Sequence, residues 1–372
     1  MQAAAHLAPA GGRGLMRAVV YDRSTRTAGL AELPVPAPGS SGEVLFHPRY
    51  AAICGSDLHM FLGSDGYAWV RSPLVLGHEA VGTIPGEAGL FLLNPYIPCG
   101  VCKMCCMGHT STCMGPEGGR GKESPPWSLQ YGFRRHGGMA ETIVVERANL
   151  VPVPPGLSPY LAALAESVAV SWHGVEAGMR LLAGTGVETA AVLGPGPIGL
   201  GASLVLSARG VRTAVLGLPR DAERLRRAGI LGAEAAVDDA RALEAAVDRW
   251  THGAGVDLVV EATGTEAAWE TAISVVRRGG VIVSIGIAHG GLSLRVREIV
   301  RGGVLVVGSY GVTPSDLAAA LTLLATHEAR GMALFDRTFA IEQCEDAFRY
   351  APRSSGKVLL SIGVEARSDV RL

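Results

Sequence analysis

The chain has 372 residues, 48% hydrophobic and 18% charged, with a formal net charge of −1. That length supports two domains of ordinary size, each with a substantial core. The near-zero charge excludes an electrostatic footprint for nucleic acid or an anionic membrane, and no apolar run approaches the ~20 residues that span a bilayer.

Residues 1–15, MQAAAHLAPAGGRGL, read as a flexible leader without the basic start and long apolar core of a secretory signal. Together with unpaired thiols suited to a reducing compartment, this points to the cytoplasm. Met16 opens MRAVVYD, the first expected strand. From there to about Leu164, short apolar runs are broken by Gly and Pro, as in AELPVPAPGSSGEVLFHPRYAAICGSD. That is the pattern of a β-rich, barrel-like region with functional loops. After Pro159, YLAALAESVAVSWHGVEAGM has helical spacing. ETAAVLGPGPIGLGASLVLSARG then runs from an apolar strand through a glycine turn into a helix. RTAVLGL, DAERLRRAGILGA, VDLVVEATG, TEAAWETAISVVRRGG and VIVSIGI continue the alternation, which signals a parallel sheet wrapped by helices. The remainder is mixed, with a helix expected over PSDLAAALTLLATHEARG and a closing strand at GKVLLSIGV.

Four of the seven cysteines, Cys99, Cys102, Cys105 and Cys113, fall within the segment CGVCKMCCMGHTSTC, spaced C-x2-C-x2-C-x7-C. One short segment that supplies four thiolates closes a tetrahedral zinc site at little chain-closure cost. So dense a run in a long chain suits metal better than disulfide bridges. No position is left open for chemistry, so the expectation is a structural zinc.

Gly194-Pro195-Gly196-Pro197-Ile198-Gly199 gives G-x-G-x-x-G directly after the apolar AAVL. The first glycine permits the tight turn, the second lets a pyrophosphate approach the backbone, and the third lets helix pack on strand. Gly194, Gly196, Pro197, Ile198 and Gly199 are therefore the expected dinucleotide cradle. An acid at the tip of the second strand would hold the ribose of NAD, yet that strand ends at Leu216-Gly217, followed by Leu218-Pro219-Arg220-Asp221. Asp221 is the candidate for the ribose and Arg220 for a 2′-phosphate; NAD and NADP both stay open.

A second constellation comprises Cys54-Gly55-Ser56-Asp57-Leu58-His59, Gly77-His78-Glu79 and Glu166. Thiolate, imidazole and carboxylate suit a catalytic zinc, which takes about three protein ligands and keeps one position open. Spacing alone does not single out this set.

Taken in order, CGSDLH, GHE, the cysteine segment, HGGMAE at 136–141, GPGPIG and the terminal GKVLL resemble the zinc-dependent medium-chain alcohol dehydrogenase family. The match runs from about Met16 to Val364. The form of CGSDLH, and Glu166 in place of a third cysteine, are most similar to the polyol, threonine and 2,3-butanediol dehydrogenase branch. The resemblance implies an α/β protein: a Rossmann doubly wound parallel sheet over 168–312, plus a β-rich GroES-like catalytic domain over 16–167 and 313–372 with a zinc lobe at 94–115. It implies one catalytic and one structural zinc per chain, and NAD or NADP. Cys54 and His78 would be fixed zinc ligands and Glu166 the third, with Glu79 ligating or exchanging. Ser56 would hydrogen-bond the substrate hydroxyl, His59 would pass its proton to solvent, and Asp57 would brace a ligand or the turn. The implied reaction is reversible oxidation of a secondary or polyol-like hydroxyl to a carbonyl. L-threonine, or a sugar or cyclitol, is the alternative substrate, and a non-catalytic zinc and nucleotide binder the alternative class. Tyr67, Trp69 and Met139 are candidate pocket residues. A homodimer or homotetramer is implied, joined through an edge strand at 304–311.

Three features depart from the family. The linker from Gly82 to Asn94 is short and lacks Gly-Asp-Arg-Val; Ser167-Val168 replaces Pro-Leu after Glu166; and the second Rossmann strand lacks its acidic tip.

Overall fold

The computed structural model describes residues 14–63, 65–116, 129–288 and 290–363. The expected leader lies, up to residue 13, outside the described residues. The chain divides into two compact units, one formed by 1–166, 312–328 and 335–372, the other by 167–311 and 329–334.

In the first unit the opening strand, Leu15–Asp22, starts one residue before Met16 and pairs antiparallel with Thr27–Pro34 and Leu74–Val75. A larger sheet carries the strands Leu150–Pro152, Phe91–Leu93, Glu79–Thr83, Glu43–Ala52, Lys357–Ser361 and Phe335–Ala340 in that order, with Ile143–Glu146 also paired to Glu43–Ala52. Its register matters for function. Ala52 lies opposite Glu79 on one side and Leu359 on the other. The Ile53 N–H donates to the Val358 carbonyl at 2.9 Å. Cys54, Glu79 and Lys357 are thereby brought to one end of the sheet, held by the fully buried Ala51, Ala80, Leu359 and Leu360.

The second unit contains a six-stranded, wholly parallel sheet in the order Ala235–Val237, Arg212–Leu216, Thr189–Leu193, Val256–Glu261, Val276–Ser284, Leu305–Gly308. Numbered along this unit the order is 3-2-1-4-5-6, that of a dinucleotide-binding doubly wound fold. The central strands are largely buried and mostly apolar, as burial on both faces requires, with Asp257 and Glu261 the charged exceptions in Val256–Glu261.

Several expected boundaries move. The helix after Pro159 is broken: Pro159–Ala163 ends in a tight bond from the Leu164 N–H to the Leu161 carbonyl, and Ala165–Leu181 begins anew. The helix over TEAAWETAISVVRRGG stops at Val275, and Val276–Ser284 is strand. There Arg277 Nε pairs with Asp257 at 2.7 Å, and Gly279 takes φ +67°, which a helix cannot continue. PSDLAAALTLLATHEARG splits at His327 into Pro314–Thr326 and Glu328–Gly331. Residues 329–334, expected in the catalytic domain, join the second unit. Arg330 there bonds the Leu231 carbonyl and Ser207 Oγ, and the Ala333 carbonyl accepts from Arg227.

Candidate active site

The helix Gly55–Phe61 begins just after Cys54, whose backbone is extended and whose N–H donates to Asp57 Oδ2 at 2.9 Å. This is the carboxylate half of a capping box, and it fixes Cys54 at the mouth of the helix. Asp57 is fully buried, and its other oxygen, Oδ1, lies 3.7 Å from His78 Nδ1. His78 follows Gly77, which takes φ +93°; a Cβ there would lie 2.6 Å from Met139 Cγ. Met139 is itself fully buried and packs beneath that turn, so its place is in the core rather than on an open pocket wall. The His78 ring sits 4.8 Å from that of Phe133. Glu79 Oε1 lies 3.9 Å from His78 Nε2 and forms an ion pair with Lys357, which is 4% exposed and also reaches the Ile53 carbonyl at 3.4 Å.

One donor atom each from Cys54, His78 and Glu79 lie within 4.8 Å of one another. Glu166, in the first turn of Ala165–Leu181, is buried and electrostatically linked to Glu79 but is not part of that three-donor group. Burial and the neighbouring Glu79 charge push its carboxyl up to about 7, against the pull of His78 and Lys357. Burial opposes charge on His78, yet Asp57 and Cys54 beside it raise its pKa well above the usual imidazole value. Burial likewise opposes charge on Lys357, and Glu79, Cys54 and Glu166 override it.

The donor set fits a catalytic zinc. Sulfur, nitrogen and oxygen converge, and Ser56 Oγ, Asp57 Oδ1, His78 Nδ1 and Glu79 Oε2 are buried without a hydrogen-bond partner. A buried polar atom left unpaired costs about 1–3 kcal/mol. A divalent cation and a substrate hydroxyl are the chemistry that would satisfy this cluster. His59 lies three residues after Ser56, on the same helix, and stacks on Tyr67 at 5.8 Å.

The cysteine lobe has its own geometry. Cys99, Cys102, Cys105 and Cys113 form no disulfide, and their sulfurs all lie within 4.8 Å of one another. The Cys99–Cys105 and Cys102–Cys113 sulfur separations are 3.9 and 4.0 Å. A tetrahedron with metal–sulfur bonds of about 2.3 Å has edges of about 3.8 Å, so the four thiols fit zinc. Backbone N–H groups of Cys99, Cys102, Met114 and Gly115 point at these sulfurs at 3.3–3.4 Å. Such donors, chiefly the Cys105 and Met114 N–H groups, bring Cys102 down to about 6, while burial pushes Cys105 up to about 12. Four thiolates so close repel one another, and a bound cation removes that conflict.

In the second unit, Thr189–Leu193 runs into Gly194 at φ +99° and on to the helix Pro197–Ala208, capped by Gly196 with proline in its first turn. A Cβ on Gly199 would lie 1.9 Å from the Gly194 carbonyl oxygen, whereas one on Gly196 would meet nothing within 4 Å. The turn is therefore closed on its inner side and open where the helix N-terminus presents its N–H groups, which fits a pyrophosphate. Asp221 is already engaged: Oδ2 accepts from the Leu218 N–H at 3.0 Å, and Oδ1 lies 3.4 Å from Arg224. Arg220 is exposed.

Sequence reasoning gave Lys357 and Phe133 no role. A lysine opening the buried run KVLLS was the available signal, since a buried lysine demands a partner.

Residues 40–155 match the model of the alcohol dehydrogenase GroES-like domain, and residues 197–326 match that of zinc-binding dehydrogenases. A sorbitol dehydrogenase of Halalkalibacterium halodurans is 28% identical over 343 residues, covering 89% of this chain and 94% of its own. An L-galactonate-5-dehydrogenase of Escherichia coli is 30% identical over 300 residues, covering 78% and 82%. The chain belongs to the zinc-dependent medium-chain alcohol dehydrogenase family. A solved alcohol dehydrogenase from Thermotoga maritima has the same fold, with a TM-score of 0.82 at 22% identity, covering 94% of this chain and all of its own.

Two expectations follow for this dehydrogenase. Replacing Cys102 with Ser leaves three thiolates, so elemental analysis should find close to one zinc fewer per chain, and thermal unfolding should move down by several degrees. Unchanged zinc content would remove the lobe as a metal site. Replacing Lys357 with Met leaves Glu79 uncompensated, which typically destabilises a buried pair by about 3–5 kcal/mol. The metal-free form should suffer most, and chelator competition should show zinc held at least about tenfold more tightly, because a cation no longer opposes it. Zinc affinity that is unchanged or weaker would contradict that electrostatic picture.

Proposed function

We propose that this enzyme reversibly oxidises a secondary hydroxyl of a polyol-like substrate to a carbonyl, with NAD or NADP as hydride acceptor and a zinc ion held by Cys54, His78 and Glu79. The observation that carries the reading is the convergence of these three donors beside the buried, unpartnered Ser56 Oγ. The chain also carries a dinucleotide turn. When bound, zinc acts as a Lewis acid that acidifies a substrate hydroxyl and polarises the carbonyl, and the nicotinamide takes the hydride.

The protein's own groups handle position and protons. Ser56 Oγ accepts the proton of the substrate hydroxyl and passes on its own, since a hydroxyl both donates and accepts. His59, one helical turn on, carries it towards solvent; imidazole suits the task because it changes charge near neutral pH. Each turnover converts one alcohol and one oxidised dinucleotide into one carbonyl, one reduced dinucleotide and one proton. Asp57 orients His78 and Cys54 together. Glu166 is the carboxylate that exchanges with Glu79 as charge at the centre changes. Sorbitol and L-galactonate, named for the two relatives, are both hydroxylated chains, and that is the substrate class proposed here.

Assembly and location belong to the same proposal. Leu305–Gly308 is the last strand of the parallel sheet, and Leu305 and Val306 are exposed on it. A second copy pairing along this edge would cover both the unpaired backbone and the apolar side chains. Light scattering at the mass of one chain would contradict this dimer. A reducing cytoplasm suits eight metal-binding side chains of which five are thiols.

The test is turnover of an alcohol and polyol panel by zinc-loaded enzyme with each dinucleotide. Formation of reduced nicotinamide is expected. His59→Gln should lower oxidation by about 10²-fold or more, most at low pH, with zinc content intact. Loss of zinc in that variant would make His59 structural. No turnover by enzyme carrying both zinc and dinucleotide would favour a binding protein built on the same scaffold.

A further inference from the structure

Aromatic rings form a continuous row between two residues of the candidate site. His59 stacks on Tyr67 at 5.8 Å, Tyr67 on Trp69 at 6.3 Å, Trp69 on Phe133 at 5.5 Å, and Phe133 meets His78 at 4.8 Å. All five residues belong to the first unit, and Tyr67 and Trp69 are only half-buried. The row is tied together where the Arg71 N–H donates to the Phe133 carbonyl at 2.9 Å. It forms a wall that starts at the proposed proton carrier and ends at a proposed metal ligand.

Over the middle of that wall lies a cation. The Arg134 guanidinium carbon sits 5.5 Å from the centre of the Trp69 ring. Stacking of this kind uses the flat face of the guanidinium and leaves the N–H groups along its edge free to bond in plane. Arg134 Nε is buried and has no hydrogen-bond acceptor, and the side chain makes no ion pair among the described residues. Most other buried or half-buried arginines among the described residues are paired, as Arg277 with Asp257, Arg17 with Glu141 and Arg227 with Glu223. Along the chain, the immediate neighbours of Arg134 from Leu129 to Ala140 include Arg135 and no Asp or Glu.

We propose that Arg134 is a specificity-determining residue that binds an anionic group at the far end of the substrate. The substrate class is then a hydroxylated chain bearing a carboxylate or a phosphate, an aldonic acid or a polyol phosphate, rather than a neutral polyol. A planar guanidinium edge with an unfilled donor matches paired anionic oxygens, which accept two parallel N–H bonds. The half-buried setting lowers the cost of that match by replacing water around the cation with Trp69. The rings of Tyr67 and Trp69 would pack against the C–H faces of the chain between the reacting hydroxyl and the anion. This inference rests on the reading of Cys54, His78 and Glu79 as the alcohol-oxidising centre.

Matched substrates test it: a polyol, the aldonate of the same carbon skeleton, and the phosphorylated polyol, each assayed with zinc-loaded wild type, Arg134→Met and Arg134→Lys. Wild type should favour at least one anionic substrate over the neutral polyol by about tenfold or more in kcat/KM. Which anion wins separates carboxylate from phosphate as the group recognised. In Arg134→Met the preference should collapse towards unity through KM, and Arg134→Lys should restore part of it. Rising salt should erode the wild-type preference and leave the Met variant unaffected. Equal use of neutral and anionic substrates by wild type would overturn the proposal even if neither variant folds, while leaving the dehydrogenase reading intact. Absence of turnover with every substrate would instead fall on that reading.

Discussion

The ion pair between Lys357 and Glu79 is the interaction on which the candidate catalytic end of this molecule depends. Around one point the fold gathers the half-buried Cys54 thiol, the buried His78 imidazole and the buried carboxylates of Asp57, Glu79 and Glu166, with Lys357 as the compensating lysine. Such a cluster is costly to bury, since each unpaired charge resists leaving water. The sheet makes it possible. Register places the start of Lys357–Ser361 and the start of Glu79–Thr83 on either side of the strand that leads into Cys54. The pair therefore joins the last strand of the first unit to the segment carrying the ligands, and it takes up one Glu79 oxygen while leaving the other unpartnered.

The same logic separates the two metal constellations. In the cysteine lobe, four like donors are supplied by one short loop and surrounded by backbone N–H groups, a closed arrangement that would hold an ion without offering it to substrate. At the candidate catalytic end the donors are unlike one another, come from two segments far apart in sequence and sit beside unpartnered polar atoms. One arrangement suits stability, and the other leaves capacity for a reacting hydroxyl.

Much of this was legible in the chain itself. The alternation after residue 188 was strong because the parallel strands are mostly apolar and the glycine turn sits between one such strand and its helix. Cys54, His78 and Glu79 were recognisable only as family motifs, since their proximity is created by long-range strand register that spacing cannot reveal. Lys357 and Arg134 went unread for a related reason: the partner of one and the ring beneath the other lie far away in sequence. Two of the misplaced boundaries have related causes. At Leu164 a tight bond, and at Val276 strand pairing, overrides a helical pattern that continues in the sequence. The short linker from Gly82 to Asn94, unusual for the family, still delivers Phe91–Leu93 into the large sheet, so the cysteine lobe is mounted on paired strand.

The central claim is that one chain holds two zinc ions in two chemically different settings. A crystal of zinc-loaded enzyme, measured on both sides of the zinc absorption edge, tests it most directly. Two anomalous peaks per chain are expected, one among the sulfurs of Cys99, Cys102, Cys105 and Cys113, the other between Cys54, His78 and Glu79 with Lys357 still on Glu79. A single peak in the cysteine lobe, with none at Cys54 and His78, would contradict it.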